Sequence, residues 1–207
     1  MKFTENEMVF FNSITDGESL FGIPITFRIK SSQREEIDKT ISSLAAKGVL
    51  EKESKLSKKG ALPASAIEDY KNAKKYVIIN YLHIAITDKD AVVIIPLKNF
   101  EYEVMRIPTE AIMVMLLKKY EIICRKTNGQ VTENKYVNID NILRELNEKR
   151  YSSIILGIFE NDKTVNEYVY FWDDINTYRY DFKKQIKSKI DPVIVRKEIA
   201  GALSIGD

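Results

Sequence analysis

Hydrophobic residues recur at helical spacing in several parts of the chain, and capping signals mark where these parts begin. Thr4 and Glu7 have the spacing of a capping box, and the apolar run Met8–Phe11 follows them. This arrangement predicts an opening helix. Five further helices are predicted to begin near Ser31 or Ser32, Ala64, Pro108, Asn138 and Asp191-Pro192.

The second predicted helix and the segment after it have the sequence shape of a winged helix. Apolar residues from Ile37 to Leu44 fall on one helical face, and Gly48 is the natural stop before Val49-Leu50. The charged segment 51–60 is then predicted to be a solvent-exposed wing or loop. We therefore expect a winged-helix-like N-terminal lobe.

Strand patterns alternate with the predicted helices. The turns Asp88-Lys89-Asp90 and Asn161-Asp162-Lys163 are too short for a parallel crossover, so the strands they join must be antiparallel. We therefore expect an α+β fold with a mainly antiparallel β-sheet flanked by helices. The predicted strands are Tyr76–Ile86, Ala91–Ile95, Phe100–Ile107, Ile154–Phe159, Glu167–Trp172 and Thr177–Phe182.

The order of predicted elements occurs twice along the chain. Each half has a helix, a strand, an Asp-Lys turn, two further strands and a helix that starts at proline. The boundary is predicted within Lys126–Gln130, which gives two pseudo-repeated halves, 1–125 and 131–207, within a single domain 1–207. Only the pattern repeats, so independent β-meanders between helices are the alternative.

The composition fits a chain that buries a sizeable core. Of the 207 residues, 44% are hydrophobic and 30% are charged, and the net charge of +2 gives no bulk attraction to nucleic acid or membrane. Residues 1–7 lack the apolar stretch of a signal peptide, and every apolar run is far shorter than the roughly 20 residues that cross a bilayer. We therefore expect a cytoplasmic protein without membrane insertion.

Motifs for catalysis or metal binding are missing from the sequence. One His and one Cys exclude a disulfide framework and a Cys/His zinc site. The lone Cys124 is predicted to be a small buried hydrophobe. The chain also lacks a nucleophile elbow, a P-loop, a zinc-protease motif and a dinucleotide-binding motif. The sequence therefore predicts no enzymatic activity, no metal and no cofactor.

Three groups of polar residues have competing interpretations. His83 lies in a predicted strand and is expected to be a buried, hydrogen-bonded structural residue, with a general base in a small enzyme as the alternative. Asp173-Asp174 and the pair Asp88 and Asp90 are predicted to be turn residues rather than cation ligands. The lysines of 183–189 are predicted to form a solvated basic face, with an anionic protein or single-stranded nucleic acid as alternative partners.

Aromatic residues give the strongest indication of a binding surface. The segment Glu167–Trp172 is apolar on both strand faces, so either both faces are buried or one meets a partner. The helix over Ala111–Leu117 is apolar all round and must likewise be central or docked. The candidate partner-binding residues are Phe100, Tyr102, Tyr168, Tyr170, Trp172, Tyr178 and Tyr180.

The sequence resembles the EspG-like chaperones of type VII secretion systems. The resemblance rests on Leu44–Leu50 after an amphipathic helix, on the strands of Tyr76–Ile95 with their turn, and on Phe100–Ile107 followed by the Pro108 helix. The chain looks most like the Gram-positive branch typified by EsaE, also called EssE. This resemblance implies quasi-twofold halves in a mixed α/β fold, no enzymatic activity, and binding of one substrate set before delivery to a membrane ATPase.

From the residues and the resemblance together we expect a non-catalytic cytoplasmic chaperone. Its expected partners are a secreted toxin or effector, such as a nuclease toxin or its small helical co-substrates, and the secretion ATPase at the membrane. Direct contact with nucleic acid is not expected. The alternative is a winged-helix-type nucleic-acid-binding regulator that contacts phosphates through Lys52, Lys55, Lys58 and Lys59.

Overall fold

The computed structural model describes residues 1–16, 19–25, 34–51, 55–88, 90–127, 129 and 133–206. They form two compact units, one of Met1–Lys74 with Tyr81–Ile107 and one of Lys75–Asn80 with Pro108–Asp207. The helices and strands, in chain order, are β1 (Lys2–Thr4), α1 (Glu5–Ile14), α2 (Arg34–Ala46), α3 (Lys58–Asn72), β2 (Lys75–Ile79), β3 (Leu82–Ile86), β4 (Ala91–Pro96), β5 (Glu101–Ile107), α4 (Thr109–Lys119), α5 (Glu121–Cys124), β6 (Glu133–Tyr136), α6 (Ile139–Lys149), β7 (Ser152–Glu160), β8 (Lys163–Trp172), β9 (Thr177–Asp181), β10 (Ile186–Ile190) and α7 (Pro192–Ala202).

The first unit is an antiparallel sheet in the order β1-β5-β4-β3 with helices packed on it. Helix α3 contacts β3, β4 and β5, and its Ile67 and Tyr70 are buried. The predicted capping box of α1 is confirmed, because Thr4 Oγ1 accepts from the Glu7 amide at 3.3 Å and Glu7 Oε2 accepts from the Thr4 amide at 2.7 Å. Strand β1 was not predicted.

The N-terminal lobe has a helix, a short β-bridge and a second helix. Leu50 and Leu56 form an antiparallel bridge. The predicted wing up to residue 60 and the predicted helix start near Ala64 are both wrong, since α3 already begins at Lys58. The Ser57 side chain caps it by accepting from the Gly60 amide at 2.9 Å. The predicted helix starts at Ser31 and Ser32 lie outside the described residues.

The prediction of one continuous strand over Tyr76–Ile86 is also wrong. Asn80 has a φ of +54°, in the left-handed region, and it ends β2. Asparagine tolerates this conformation because its short polar side chain forms local hydrogen bonds. In this structure the partner lies on β7 rather than nearby in sequence. The backbone amide of Asn80 donates to the Ile155 carbonyl at 3.0 Å, and Asn80 Oδ1 accepts from the Ile155 amide at 2.9 Å.

The second unit is an antiparallel sheet in the order β2-β7-β8-β9-β10-β6. Helix α6 packs on one face, where Ile142 meets Val169, Phe171 and Tyr180. On the other face Glu198 of α7 bonds to β8. The described chain thus confirms the expected α+β class, with antiparallel sheet flanked by helices. The predicted Asn138 and Asp191-Pro192 helix starts are confirmed as well.

Strands β6 and β10 and the short helix α5 were not predicted. The basic segment 183–189, expected to be a solvated face, contains most of β10, and its Lys183 and Lys184 are exposed. None of the helices in the described ranges is both long enough and apolar enough to cross a membrane.

Candidate partner-binding surface

The seven candidate aromatics differ sharply in exposure. Tyr102 on β5 is buried in the first unit, and three more are buried in the second. A side chain without exposed surface cannot touch a partner in this conformation. The buried members of the second unit are Tyr170, Trp172 and Tyr180. Phe100 is 76% exposed, whereas Tyr168 and Tyr178 are half-buried.

The exposure of Phe100 follows from the turn that carries it. Leu97 donates its amide to the Glu101 carbonyl at 2.7 Å and so closes the connection between β4 and β5. Asn99 and Phe100 have φ values of +63° and +56°, and positive φ is rare for a large side chain. The prediction that Phe100 belongs to the following strand is therefore wrong, because the strand alternation begins only at Glu101.

One face of β8 carries a charged network that reaches α7. The Tyr170 hydroxyl donates to Glu198 Oε2 at 2.5 Å, and Arg179 forms an ion pair with Glu198 Oε1. The Arg179 guanidinium lies 5.1 Å from the centre of the Tyr168 ring. Burial, together with the neighbouring Glu198 carboxylate, raises the pKa of Tyr170 well above its ordinary value. These contacts fix Tyr170 in place and leave the Tyr168 ring at the margin of the network.

The opposite face of β8 is closed by α6. Lys187 Nζ lies 2.7 Å from Glu145 Oε2 and 4.5 Å from the centre of the Tyr178 ring. Phe171 stacks on Tyr178 with ring centres 5.2 Å apart. Burial alone would raise the pKa of Glu145, but hydrogen bonds from Lys187 and Lys149 outweigh it and hold the pKa below its ordinary value. Lys187 therefore points into the unit, and the predicted solvated role is wrong for this lysine.

The doubly apolar strand is thus covered by a helix on each face, which is the core alternative raised by the sequence. Exposed apolar side chains occur elsewhere. Helix α4 buries Ile112 and Leu116 and exposes Val114 and Met115, so its all-round apolar character reflects one packed face and one open face. Other large exposed apolar side chains described in the second unit are Tyr136, Ile139, Leu143, Ile155, Val165 and Ile175. Sequence pattern alone did not single these out, because isolated exposed hydrophobes are common.

The paired aspartates are turn residues, as predicted. Asp173 Oδ1 accepts from the amides of Ile175 and Asn176, at 2.8 and 2.6 Å. Burial would raise the pKa of Asp173, but these hydrogen bonds lower it overall. Asp90 Oδ1 accepts from the Thr87 hydroxyl at 2.7 Å. Across the part of the chain that the structure describes, no three His, Cys, Asp or Glu side chains come together as a metal site.

His83 and Cys124 depart from their predicted surroundings. The Nδ1 atom of His83 is buried without a hydrogen-bond partner among the described residues, so the predicted hydrogen-bonded histidine is wrong at this atom. Burial lowers the pKa of His83, which keeps the ring neutral near pH 7. Cys124 is exposed rather than buried, because it ends the four-residue helix α5, whose Ile122 and Ile123 occupy the buried positions.

The lysines proposed for phosphate contacts have other roles where they are described. Lys58 and Lys59 lie in the first turn of α3 instead of a wing. Lys59 Nζ donates to the Lys47 carbonyl at 2.8 Å. Lys52 lies outside the described residues. These positions give the nucleic-acid alternative no additional support.

A small polar cavity of about 210 Å³ lies beside the end of β8 in the second unit. Arg125 donates to Glu121 Oε1 at 2.7 Å and to the Asp173 carbonyl at 2.8 Å on its wall. The walls carry equal numbers of cationic and carboxylate side chains, so the cavity has no net charge that would select an ion. Its lining residues are Glu121, Arg125, Lys149, Arg150, Tyr151, Ser152, Trp172, Asp173 and Asp174.

Comparison with known proteins assigns the chain to a family. Residues 1–206 match the family described as Domain of unknown function (DUF5081). The chain belongs to the DUF5081 family. No curated protein is detectably similar to this DUF5081 protein.

Among solved structures, the DUF5081 protein is similar to the type VII secretion system chaperone EspG5 of Mycobacterium tuberculosis, which was solved in complex with a PE25-PPE41 dimer. The similarity covers 99% of this chain and 95% of EspG5, with a TM-score of 0.60 and 7% sequence identity. At that identity the likeness establishes a shared EspG-like fold.

Proposed function

We propose that the DUF5081 protein is a non-catalytic chaperone that binds a substrate of type VII secretion. The observation that carries this proposal is the likeness to EspG5 over 99% of the chain, since EspG5 is a chaperone solved with a PE25-PPE41 dimer bound. The lack of catalytic motifs in the sequence supports a binding role.

The proposed chaperone has a family branch and a class of cargo. The resemblance carried by Leu44–Leu50 and by the Pro108 helix favours the Gram-positive branch typified by EsaE. In that case the cargo is a secreted toxin, such as a nuclease, or its small helical partners. The chaperone would bind this cargo in the cytoplasm and deliver it to the secretion ATPase at the membrane.

The proposed contact residues are the accessible members of the aromatic set. Phe100 is held outward by a turn with two successive positive φ values, a strained arrangement that places a large apolar side chain in water. A partner that buries it gains about 1.5–3 kcal/mol. Tyr168 and Tyr178 offer partly exposed rings in the second unit. Tyr102, Tyr170, Trp172 and Tyr180 would support these contacts by holding the strands in place.

The test is recovery of a secreted protein from the native host. Tagged protein is purified from cell lysate, and co-purifying proteins are identified and quantified by mass spectrometry. We expect a secreted protein at stoichiometric yield. The variant Phe100→Ala should lose most of it, whereas Ile175→Ala, which alters a side chain that is also 76% exposed, should retain it. Failure to recover any secreted protein with the wild-type chain would refute the chaperone proposal, and equal recovery with both variants would exclude Phe100 as an anchor.

A further inference from the structure

Strand β6 ends the sheet of the second unit and leaves an open backbone edge. It pairs with β10 on one side, and within the described ranges no strand pairs with its other side. All four of its residues, from Glu133 to Tyr136, are exposed. Open edges carry unpaired amide and carbonyl groups, so they are ready sites for adding another strand.

The register with β10 identifies which backbone groups face outward. Val137 donates its amide to the Gln185 carbonyl at 3.0 Å, and Tyr136 lies opposite Ile186. Hydrogen-bonded and non-hydrogen-bonded pairs alternate in an antiparallel ladder. Lys135 therefore bonds to β10, whereas the amide and carbonyl groups of Asn134 and Tyr136 point away from it.

We propose that this edge pairs with the same edge of a second copy of the chain, antiparallel and about a twofold axis at Asn134. The two Asn134 residues would exchange a pair of backbone hydrogen bonds. Glu133 of each copy would then lie opposite Lys135 of the other, in the non-hydrogen-bonded positions where side chains approach most closely. Each dimer gains two cross-strand pairs of opposite charge, which stabilise antiparallel pairing.

The charges of β6 favour both a second copy of the chain as the partner and the register centred on Asn134. An axis at Lys135 would use the outward groups of both Asn134 and Tyr136, but it would also place the two Lys135 side chains directly opposite each other, which is unfavourable. Many edge strands avoid pairing through charges that repel an approaching strand. In the Asn134 register, the charges of β6 instead complement those of a second β6.

Glu133 and Lys135 also face charged residues of β10 within the same copy. Glu133 lies opposite Lys189, and Lys135 opposite Lys187, within the ladder to β10, so a charge reversal at either position also changes contacts inside one copy. Dimerisation must therefore be measured on variants whose thermal unfolding shows that they are folded. Exposed residues away from β6 provide matched charge reversals, Glu148→Lys on α6 and Lys183→Glu before β10.

The experiment is sedimentation-equilibrium measurement of the dimer dissociation constant of the full chain. We expect a dimer, and we expect Glu133→Lys or Lys135→Glu alone to weaken it about tenfold or more, because each puts two like-charged pairs across the axis. The double variant Glu133→Lys/Lys135→Glu should recover wild-type affinity. Mixing the two single variants should produce a heterodimer, since every cross-strand pair is then opposite in charge. Glu148→Lys and Lys183→Glu should have little effect.

Two results would overturn the proposal. If the chain stays monomeric at high concentration, β6 does not pair with a second copy, and a strand of another protein becomes the candidate partner. If a dimer forms but its dissociation constant does not change with the charges at positions 133 and 135, the dimer uses a different surface. Recovery of a secreted substrate is measured separately, so the self-association and chaperone proposals fail or stand independently.

Discussion

The hydroxyl of Tyr170 on β8 donates a 2.5 Å hydrogen bond to the Glu198 carboxylate on α7. The Tyr170 ring is buried, and Glu198 also pairs with Arg179 of β9. A single carboxylate therefore ties the last helix to two strands of the second unit. This relationship makes Tyr170 a structural residue in the conformation described.

Removing the Tyr170 hydroxyl tests that relationship. Tyr170→Phe should lower the free energy of unfolding by about 2 kcal/mol, because a hydrogen bond to a charged group is lost in a buried site. The measurement is urea denaturation followed by circular dichroism. Tyr168→Phe, on the same strand face, should change the free energy by no more than about 0.5 kcal/mol. Equal effects of the two substitutions would contradict the assigned role of the Tyr170 hydroxyl.

Three helix starts were predictable from sequence because their capping signals are local. Thr4 with Glu7, Asn138, and Asp191 with Pro192 each define a cap within a few residues, and the structure has a helix at each place. The polar strand β6 lacks such a signal, since it is defined by pairing with β10, about 50 residues away. The burial of the candidate aromatics on β8 was equally hidden, because the helices that cover them, α6 and α7, are separate elements of the chain.

Gly60 marks a close backbone approach that the sequence did not reveal. A Cβ atom at Gly60 would lie 2.1 Å from the Val49 carbonyl oxygen, whereas one at Gly201 in α7 would meet no described atom within 4 Å. Gly60→Ala should therefore destabilise the protein by about 1–3 kcal/mol through overpacking. Gly201→Ala should stabilise it by about 0.5–1 kcal/mol, because alanine favours the helix. Thermal and urea unfolding of both variants would show whether the two substitutions change the free energy of unfolding in opposite directions.

The surroundings of Glu7 predict that the stability of the protein falls at low pH. Burial would raise its pKa, but hydrogen bonds from Lys47, the Thr4 amide and Ser43 lower it below the ordinary value of 4.5. A carboxyl group with a depressed folded-state pKa stabilises the fold above its unfolded-state pKa, and this contribution is lost as pH falls through the folded-state pKa.

Glu7→Gln should therefore flatten the loss of stability below about pH 5. At neutral pH it should cost about 2 kcal/mol, since Lys47 loses its 2.5 Å partner. The measurement is the urea midpoint as a function of pH. The control is Glu5→Gln, which removes a charge from the same helical turn and should leave the acid dependence in place. If the urea midpoint of Glu7→Gln depends on pH as steeply as that of the wild-type protein, groups other than Glu7 determine the loss of stability in acid.

The position of Lys187 predicts that its replacement destabilises the protein more than replacement of a solvent-exposed lysine. Its ammonium group lies 2.7 Å from Glu145 Oε2 and 5.2 Å from the centre of the Phe171 ring, and its side chain is only 19% exposed. Replacing it with methionine keeps much of the packing volume but leaves Glu145, which is 20% exposed, with Lys149 as its described cationic partner.

Lys187→Met should lower the free energy of unfolding by about 2 kcal/mol, because the half-buried carboxylate loses a close charge and two aromatic rings lose a cation. Lys183→Met removes the same charge at an exposed position and should change the free energy by no more than about 0.5 kcal/mol. If urea denaturation gives the two variants equal stability, Lys187 behaves as a surface residue. A greater loss for Lys187→Met at neutral pH than near pH 3 would identify the ionised Glu145 as its partner, since protonation removes the attraction that the substitution disrupts.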